Sequence, residues 1–110
     1  MVHAELLEVY ATGTPPDLVF HLKGALDLST TGVLRESVEP HLNAPGRVVI
    51  DLSAVTFCDS TGLGAIVGMY RMASAAGCSL FLRAPQRRVA AVLAMTGVDQ
   101  VVNVIDDPAG

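Results

Sequence analysis

The fold is decided by residues 48–82, VVIDLSAVTFCDSTGLGAIVGMYRMASAAGCSLFL. An apolar, β-branched run predicts a buried strand over residues 47–53. A helix follows the DSTG turn, because apolar residues recur there at the spacing of one helix face: Leu63, Ile66, Val67 and Tyr70. Gly77 is a typical helix stop, and the run 78–84 predicts a second strand. A strand, a helix and a strand in this order predict parallel pairing through a right-handed crossover.

The residues before this stretch predict a β-hairpin and a helix. The turn-forming segment TGTPPD separates two strand-like runs, residues 4–11 and 18–24. In the helix that follows, Ser29 or Thr30 is a suitable N-cap. We expect this helix to end near Glu39, since a proline follows and disrupts helical hydrogen bonding.

The residues after it predict a third helix over 85–97 and a last strand over 100–105. The order is therefore β-β-α-β-α-β-α-β, an α/β fold with a mixed, mostly parallel sheet that opens with a hairpin. The whole chain, 1–110, is expected to form one domain with its core at about residues 5–105. The final residues, 106–110, are expected to form a flexible tail.

Composition excludes several functional classes. Hydrophobic residues make up 51% of the 110 residues, enough for a core without metals or disulfides. The net charge of −4 and the lack of a basic cluster argue against nucleic-acid binding. No apolar run spans a bilayer, and the start of the sequence does not resemble a signal peptide, so we expect no membrane partner. Cys58 and Cys78 lie in apolar runs, which favours core thiols in the reducing cytoplasm.

The DSTG turn, Asp59 to Gly62, allows two interpretations. Ser60 or Thr61 is a suitable helix N-cap, with an oxygen that accepts a backbone hydrogen bond. A helix start also tolerates a phosphate, because its N–H groups are unpaired and carry partial positive charge. A phosphate on Ser60 would meet repulsion from Asp59 and would stand where it blocks a docking partner.

The helix after the turn carries a second row of apolar and small residues: Ala65, Met69, Met72 and Ala76. Exposed, this row would form a soft apolar docking surface for a partner. Gly64 and Gly68 beside it would permit close approach of that partner's backbone. The alternative is that the row belongs to the core, covered by a neighbouring helix.

The sequence gives little support for an enzyme. No G-x-S-x-G elbow surrounds Ser60, and a serine hydrolase needs a base oriented by a third group. The histidines, His3, His21 and His41, are not placed near Ser60 by the sequence. No cluster has metal-ligand spacing, and no Walker loop is present, so we expect no metal and no cofactor.

Three segments together resemble the STAS domain of bacterial anti-sigma factor antagonists. Residues 48–82 match the family's strand, its Asp-Ser-Ser/Thr-Gly-Leu-Gly turn and its amphipathic helix. LKGALDLST, residues 22–30, is similar to its Gly-x-Leu-Asp loop, and RRVAAVLAMTGVDQVVNV, residues 87–104, to its later helix and last strand. The resemblance covers about residues 5–105.

The resemblance implies a role in partner switching rather than in catalysis. In this family the unphosphorylated antagonist binds an anti-sigma factor with serine kinase activity and frees a sigma factor. Phosphorylation of a serine, here Ser60, ends that complex, and a phosphatase restores it. Asp59 matches the family's acid beside the serine, and Asp27 matches the acid of the earlier loop. Together with Thr61 and Gly62, these residues form the expected neighbourhood of the phosphate.

The implied partner surface follows the turn and comprises Leu63, Gly64, Ala65, Gly68, Met69 and Met72. Thr61 replaces a serine of many relatives and is a second possible acceptor, and Ala25 stands where the family commonly has Glu. The family's usual C-terminal helix has no counterpart here, since the last strand is followed by DDPAG. We expect the surface that this helix would cover to leave room for a weak homodimer. The alternative function is a STAS scaffold module in a signalling or lipid-transport complex, without phosphorylation.

Overall fold

The computed structural model describes residues 6–105, which form five strands and three helices. The elements are β1 (Glu8–Thr14), β2 (Asp17–Leu26), α1 (Thr31–Val38), β3 (Gly46–Cys58), α2 (Ser60–Ala75), β4 (Cys78–Arg83), α3 (Arg87–Thr96) and β5 (Asn103–Ile105). Short 3₁₀ turns, Glu39–His41 and Val98–Gln100, follow α1 and α3. This order confirms the predicted succession of strands and helices. The predicted tail, residues 106–110, lies outside the described residues.

The five strands form one sheet in sequence order, β1-β2-β3-β4-β5. β1 and β2 pair antiparallel as the predicted hairpin, and every later pair is parallel. Each parallel connection advances one strand in the same direction. Right-handed crossovers of this kind place all three helices on one face of the sheet.

The core lies between that face and the helices. Strand residues that point toward the helices are apolar and buried at alternate positions, as the period of a half-buried strand requires. The large side chains among these that are almost fully buried are Leu22, Leu26, Ile50, Leu52, Leu80 and Leu82. The helices complete the core with Leu34, Val38, Leu63, Ile66, Met69 and Leu93. Cys58 and Cys78 are buried in the same core, where burial raises the pKa of both thiols, that of Cys58 to about 11.

The helix boundaries agree with the sequence analysis, whereas β1 spans Glu8–Thr14 instead of residues 4–11 and β5 begins at Asn103 instead of residue 100. α1 gives way to a 3₁₀ turn at Glu39, next to the proline, and Gly77 and Gly97 follow α2 and α3 with positive φ angles of 76° and 77°. β3, however, continues to Cys58 instead of ending at residue 53. Its pairing with β2 extends from Asp17↔Arg47 to Leu26↔Cys58 through two register shifts.

The opposite face of the sheet carries a row of polar and aromatic side chains across four strands. The ring of Tyr10 on β1 stacks on His21 on β2, with ring centroids 4.7 Å apart. His21 Nδ1 lies 3.4 Å from Oδ2 of Asp51 on β3, and Arg83 Nη2 on β4 donates to the same oxygen at 2.8 Å. The N–H of Ser53 donates to Asp51 Oδ1 at 2.8 Å. This row replaces apolar packing on the face that the helices leave open.

The environment of Asp51 favours its charged form. Burial by itself would raise the pKa of Asp51, but the hydrogen bonds from Arg83 and from the Ser53 N–H outweigh it. Together they lower the pKa from an ordinary 3.8 to about 2. A carboxyl whose pKa is lower in the folded than in the unfolded chain stabilises the fold above its unfolded pKa. That contribution is lost as the pH falls through the folded pKa.

We expect Asp51→Asn to lower the free energy of unfolding at pH 7 by about 2 kcal/mol, because the variant lacks the ionised acceptor. The native chain should lose this contribution between about pH 4 and pH 2, so the variant's stability should fall less over that window. Urea unfolding at several pH values measures how steeply the free energy of unfolding depends on pH for the native chain and for the variant. Exposed Asp17→Asn is the control and should keep the native slope. Equal slopes for Asp51→Asn and the native chain would contradict the assignment.

Candidate functional site

The DSTG turn lies at the carboxyl edge of the sheet, between the central strand β3 and helix α2. The loop after β2 lies beside it, since Leu26 and Cys58 are paired residues at the ends of β2 and β3. The N–H of Asp59 donates to the carbonyl of Leu26 at 3.0 Å and joins the two loops. Functional loops of parallel sheets gather at this edge.

Asp59, rather than a hydroxyl, caps α2. Its Oδ1 accepts hydrogen bonds from the N–H groups of Thr61 at 2.9 Å and Gly62 at 3.0 Å. Its backbone is extended, with φ −99° and ψ −175°, as an N-cap residue requires. The interpretation that Ser60 or Thr61 caps the helix is therefore wrong. Asp59, which precedes both hydroxyl residues, accepts the capping hydrogen bonds instead.

Ser60 is the first residue of α2 and is exposed. Within residues 6–105 its hydroxyl makes no hydrogen bond, so the helix start does not depend on it. Thr61 is half-buried by comparison. Of the two hydroxyls in the turn, that of Ser60 is the more accessible to a partner.

Asp27 belongs to the adjoining loop after β2. Its Oδ1 accepts from the Ser29 hydroxyl at 2.7 Å and from the Ser29 N–H at 2.9 Å, and the Ser29 hydroxyl bond is the main cause of a lowered pKa. The buried hydroxyl of Thr30 accepts from the Asp27 N–H at 3.0 Å and donates to the carbonyl of Ala25 at 2.7 Å. The loop is therefore ordered by its own side chains and holds a carboxylate at the edge that carries Ser60.

Gly62 is where α2 approaches the strands most closely. A Cβ at this position would lie 2.7 Å from the Leu26 carbonyl oxygen, 2.9 Å from Leu26 Cβ and 3.1 Å from Cys58 Sγ. The first two distances are shorter than any normal van der Waals contact and involve the backbone or its first side-chain atom. Gly62 thus has a packing role beside the site. Gly64, one turn from Ser60, would place a Cβ in open space, with nothing within 4 Å.

The exposed row predicted on α2 is wrong for two of its four residues, Ala65 and Met69, while Met72 is exposed and Ala76 is half-buried. Ala65 and Met69 are fully buried, because α2 contacts strands β2–β4 on one side and α1 beside it. Leu63 is also buried, and only Met72, 40% exposed, is accessible to a partner among the large apolar residues predicted there. The alternative interpretation, that this row belongs to the core, holds for Ala65 and Met69.

A shallow groove follows the accessible face of α2, starting at Ser60. Its volume is about 450 Å³, and it passes between α2 and the end of α3. The lining is mostly apolar or small: Ser60, Leu63, Gly64, Val67, Gly68, Arg71, Thr96 and Val98. The predicted partner residues Leu63, Gly64 and Gly68 therefore lie together with Ser60. We call this set of residues the α2 groove.

Two exposed apolar side chains near the turn were missed by the sequence analysis. Leu28, in the loop after β2, is 76% exposed, and Phe57, near the end of β3, is 48% exposed. Phe57 is paired in register with Ala25, which brings it to the edge where Leu28 and Ser60 lie. The available signal in the sequence was a large apolar residue near each motif: Phe57 shortly before the DSTG turn, and Leu28 directly after the Gly-x-Leu-Asp loop.

The described histidines do not approach Ser60. His21 lies on the open face of the sheet, with its Nε2 2.9 Å from Thr12 Oγ1, and the ring of His41 packs against Phe20. His3 lies outside the described residues. Within residues 6–105 there is also no group of three or more metal-ligating side chains, and no helix long and apolar enough to cross a membrane.

We expect Gly62→Ala to lower the free energy of unfolding by about 1–3 kcal/mol, because the new methyl group overlaps Leu26. The matched variant Gly64→Ala should raise it by up to about 1 kcal/mol, since alanine favours the helix and nothing obstructs the methyl group. Thermal and urea unfolding of both variants measure the difference. Equal effects of the two substitutions would contradict the close packing of α2 on Leu26.

Comparison with known proteins agrees with this geometry. The STAS domain family matches residues 8–109. The anti-sigma-B factor antagonist of Bacillus subtilis is 31% identical over 88 residues, 80% of this chain and 81% of that protein.

Two solved structures also resemble this one. An anti-sigma factor antagonist from Mycobacterium paratuberculosis has a TM-score of 0.71 at 25% identity, over 90% of this chain and 85% of that one. The Bacillus cell fate determinant SpoIIAA in its phosphorylated form has a TM-score of 0.67 at 20% identity, over 91% of both chains. The chain therefore belongs to the STAS domain family that includes the anti-sigma factor antagonists.

Proposed function

We propose that this protein is an anti-sigma factor antagonist that works by partner switching and has no catalytic activity of its own. The unphosphorylated protein binds an anti-sigma factor with serine kinase activity, and the sigma factor is released. Phosphorylation of Ser60 by that kinase ends the complex, and a phosphatase restores it. The proposal places the protein in the cytoplasm, where sigma factors act on transcription.

The position of Ser60 carries this proposal. Ser60 is exposed at the start of α2, and Asp59 rather than Ser60 makes the helix cap. A phosphate acceptor has to be accessible, and a residue without a structural hydrogen bond accepts the modification without disturbing the fold. The solved structure of a phosphorylated relative supports a phosphate on this fold.

The charges around Ser60 explain how one phosphate has a large effect. A phosphoserine adds about −1.5 to −2 charges at pH 7. The helix start normally compensates such a charge through free N–H groups, but Asp59 already accepts from the N–H groups of Thr61 and Gly62. Asp59 and Asp27 also bring two carboxylates to the same edge. Much of the new charge therefore faces the partner rather than the helix.

The surface next to Ser60 suits a partner that excludes water. Leu28, in the loop after β2, and Phe57, near the end of β3, expose apolar side chains, and the α2 groove extends from Ser60 along the helix. Exposed aromatic and aliphatic groups of this kind anchor protein interfaces when a pocket receives them. A phosphate introduced beside them has to be desolvated on docking, without a basic group in its own turn to pair with it.

We expect Ser60→Asp to weaken binding to the anti-sigma factor kinase by more than a hundredfold, while Ser60→Ala binds like the native protein. The hundredfold corresponds to about 3 kcal/mol, the order of cost for an unpaired charge in a docked interface. Isothermal titration with candidate anti-sigma factors measures both affinities. After incubation with the kinase and ATP, intact-mass analysis should show one added phosphate on the native protein and none on Ser60→Ala.

One other outcome would contradict the switch, and another would change its acceptor residue. Equal, tight binding by Ser60→Asp and Ser60→Ala, with no phosphate transferred, is the behaviour of a STAS scaffold module. A phosphate that remains on Ser60→Ala and maps to Thr61 would keep phosphorylation but move the acceptor by one residue.

We expect Gly64→Leu to weaken kinase binding at least tenfold without unfolding the protein. The position has open space for a side chain, so the leucine should extend into the α2 groove and obstruct the partner. Ala75→Leu is the matched control, an exposed position at the other end of the same helix, and should bind normally. Titration with the same kinase measures both, with circular dichroism as a check of folding. Normal affinity of Gly64→Leu would remove the groove from the interface.

A further inference from the structure

Strand β1 is an uncovered edge of the sheet. It pairs with β2 on one side, and among the described residues no strand lies on its other side. Six of its seven residues are exposed. In an antiparallel pair every second residue of an edge strand turns its N–H and C=O groups away from the sheet, where another strand can pair with them.

This edge lacks most of the features that prevent pairing, and its one backbone irregularity is the positive φ angle of Gly13, 88°, next to its last residue. Natural edge strands are commonly short, bulged, or interrupted by proline or lysine. β1 has seven residues, contains neither proline nor lysine, and keeps an unshifted register with β2 from Glu8↔Lys23 to Thr14↔Asp17. The opposite edge, β5, has only three residues. The exposed backbone of β1 is therefore the better template for an added strand.

We propose that β1 pairs with β1 of a second copy of this chain, antiparallel about a two-fold axis at Ala11. The charge pattern of the strand supports a second copy in this register. Glu8 is the only charged residue of β1, and the pairing sets it opposite Thr14 of the second copy, so that like charges do not meet. The two-fold axis makes the contact self-complementary and closes the assembly at two copies.

The exposed ring of Tyr10 gives this contact an apolar component. Tyr10 is 62% exposed and stacks on His21, on the face of the sheet without helices. In the proposed register Tyr10 lies opposite Thr12 of the second copy, an aromatic and β-branched pair of the kind that stabilises antiparallel strands. The five-stranded sheet then continues across both copies.

The pairing is independent of the switch at Ser60. Ser60 follows β3, the third strand from this edge, and therefore lies away from the two-fold axis. A dimer of this form presents two separate copies of the α2 groove. Failure of the phosphorylation experiments would leave this proposal unaffected, and failure of the dimer would leave the switch unaffected.

Disulfide trapping tests the register directly. Ala11→Cys places two thiols at the axis, where paired Cα atoms are about 4.5–5.5 Å apart and within reach of a disulfide. The matched variant Glu8→Cys places its two thiols six residues out of register, about 20 Å apart at about 3.4 Å per residue. Cys58 and Cys78 are buried and present in every variant, so the native chain gives the background rate of disulfide formation without an introduced cysteine.

On mild oxidation we expect Ala11→Cys to form a covalent dimer at least ten times faster than Glu8→Cys or the native chain. Equal rates, or no dimer from Ala11→Cys, would overturn the proposed register.

Sedimentation equilibrium of the unmodified protein tests the association itself. Ala11→Lys sets two ammonium groups opposite each other at the axis and should raise the dimer dissociation constant at least tenfold. Ala91→Lys, an exposed position on α3, should leave it unchanged. A native protein that stays monomeric at all concentrations, or a dimer that Ala11→Lys leaves intact, would overturn the proposal.

Discussion

The hydrogen bonds of Asp59 hold the candidate site together. The carboxylate accepts from the first free N–H groups of α2, and the Asp59 N–H donates to the Leu26 carbonyl at the end of β2. One residue thus ties together the ends of two strands and the start of a helix. The arrangement also needs Gly62, because any side chain there would meet Leu26. The orientation of Ser60 follows from these two constraints, and not from a bond of its own.

The sequence predicted the order of the elements well because their signals are local. β-branched runs, helical spacing and the glycines that follow α2 and α3 depend on neighbours in the chain. The length of β3 was underestimated because Ser53 and Thr56 interrupt its apolar pattern. The strand continues past both residues because Ala54, Val55 and Phe57 pair with β2 on either side of the two register shifts. Long-range pairing of this kind leaves no periodic signal.

The site was predicted less completely than the fold. Asp, Ser and Thr are all favoured N-caps, so the sequence could not decide which residue of the DSTG turn makes the hydrogen bond. The burial of Ala65 and Met69 depends on how far α1 and the strands cover α2, which a single helix pattern does not specify. The exposure of Leu28 and Phe57 depends on how the loop after β2 lies beside the end of β3. Partner identities and the phosphate itself remain predictions.

The helical position of Ser60 has a consequence for how an enzyme recognises it. Protein kinases commonly bind an acceptor serine within an extended segment, but Ser60 is the first residue of α2, whose start is capped by Asp59. The neighbouring loop after β2, with the exposed Leu28, comes from a distant part of the chain and is joined to this turn by the hydrogen bond from the Asp59 N–H to the Leu26 carbonyl. Under the proposed function, a modifying enzyme would therefore recognise a conformational epitope, which exists in the folded domain and would be lost in a peptide. Selectivity of that enzyme would then rest on three-dimensional shape, and an unfolded copy of the protein would not be a substrate.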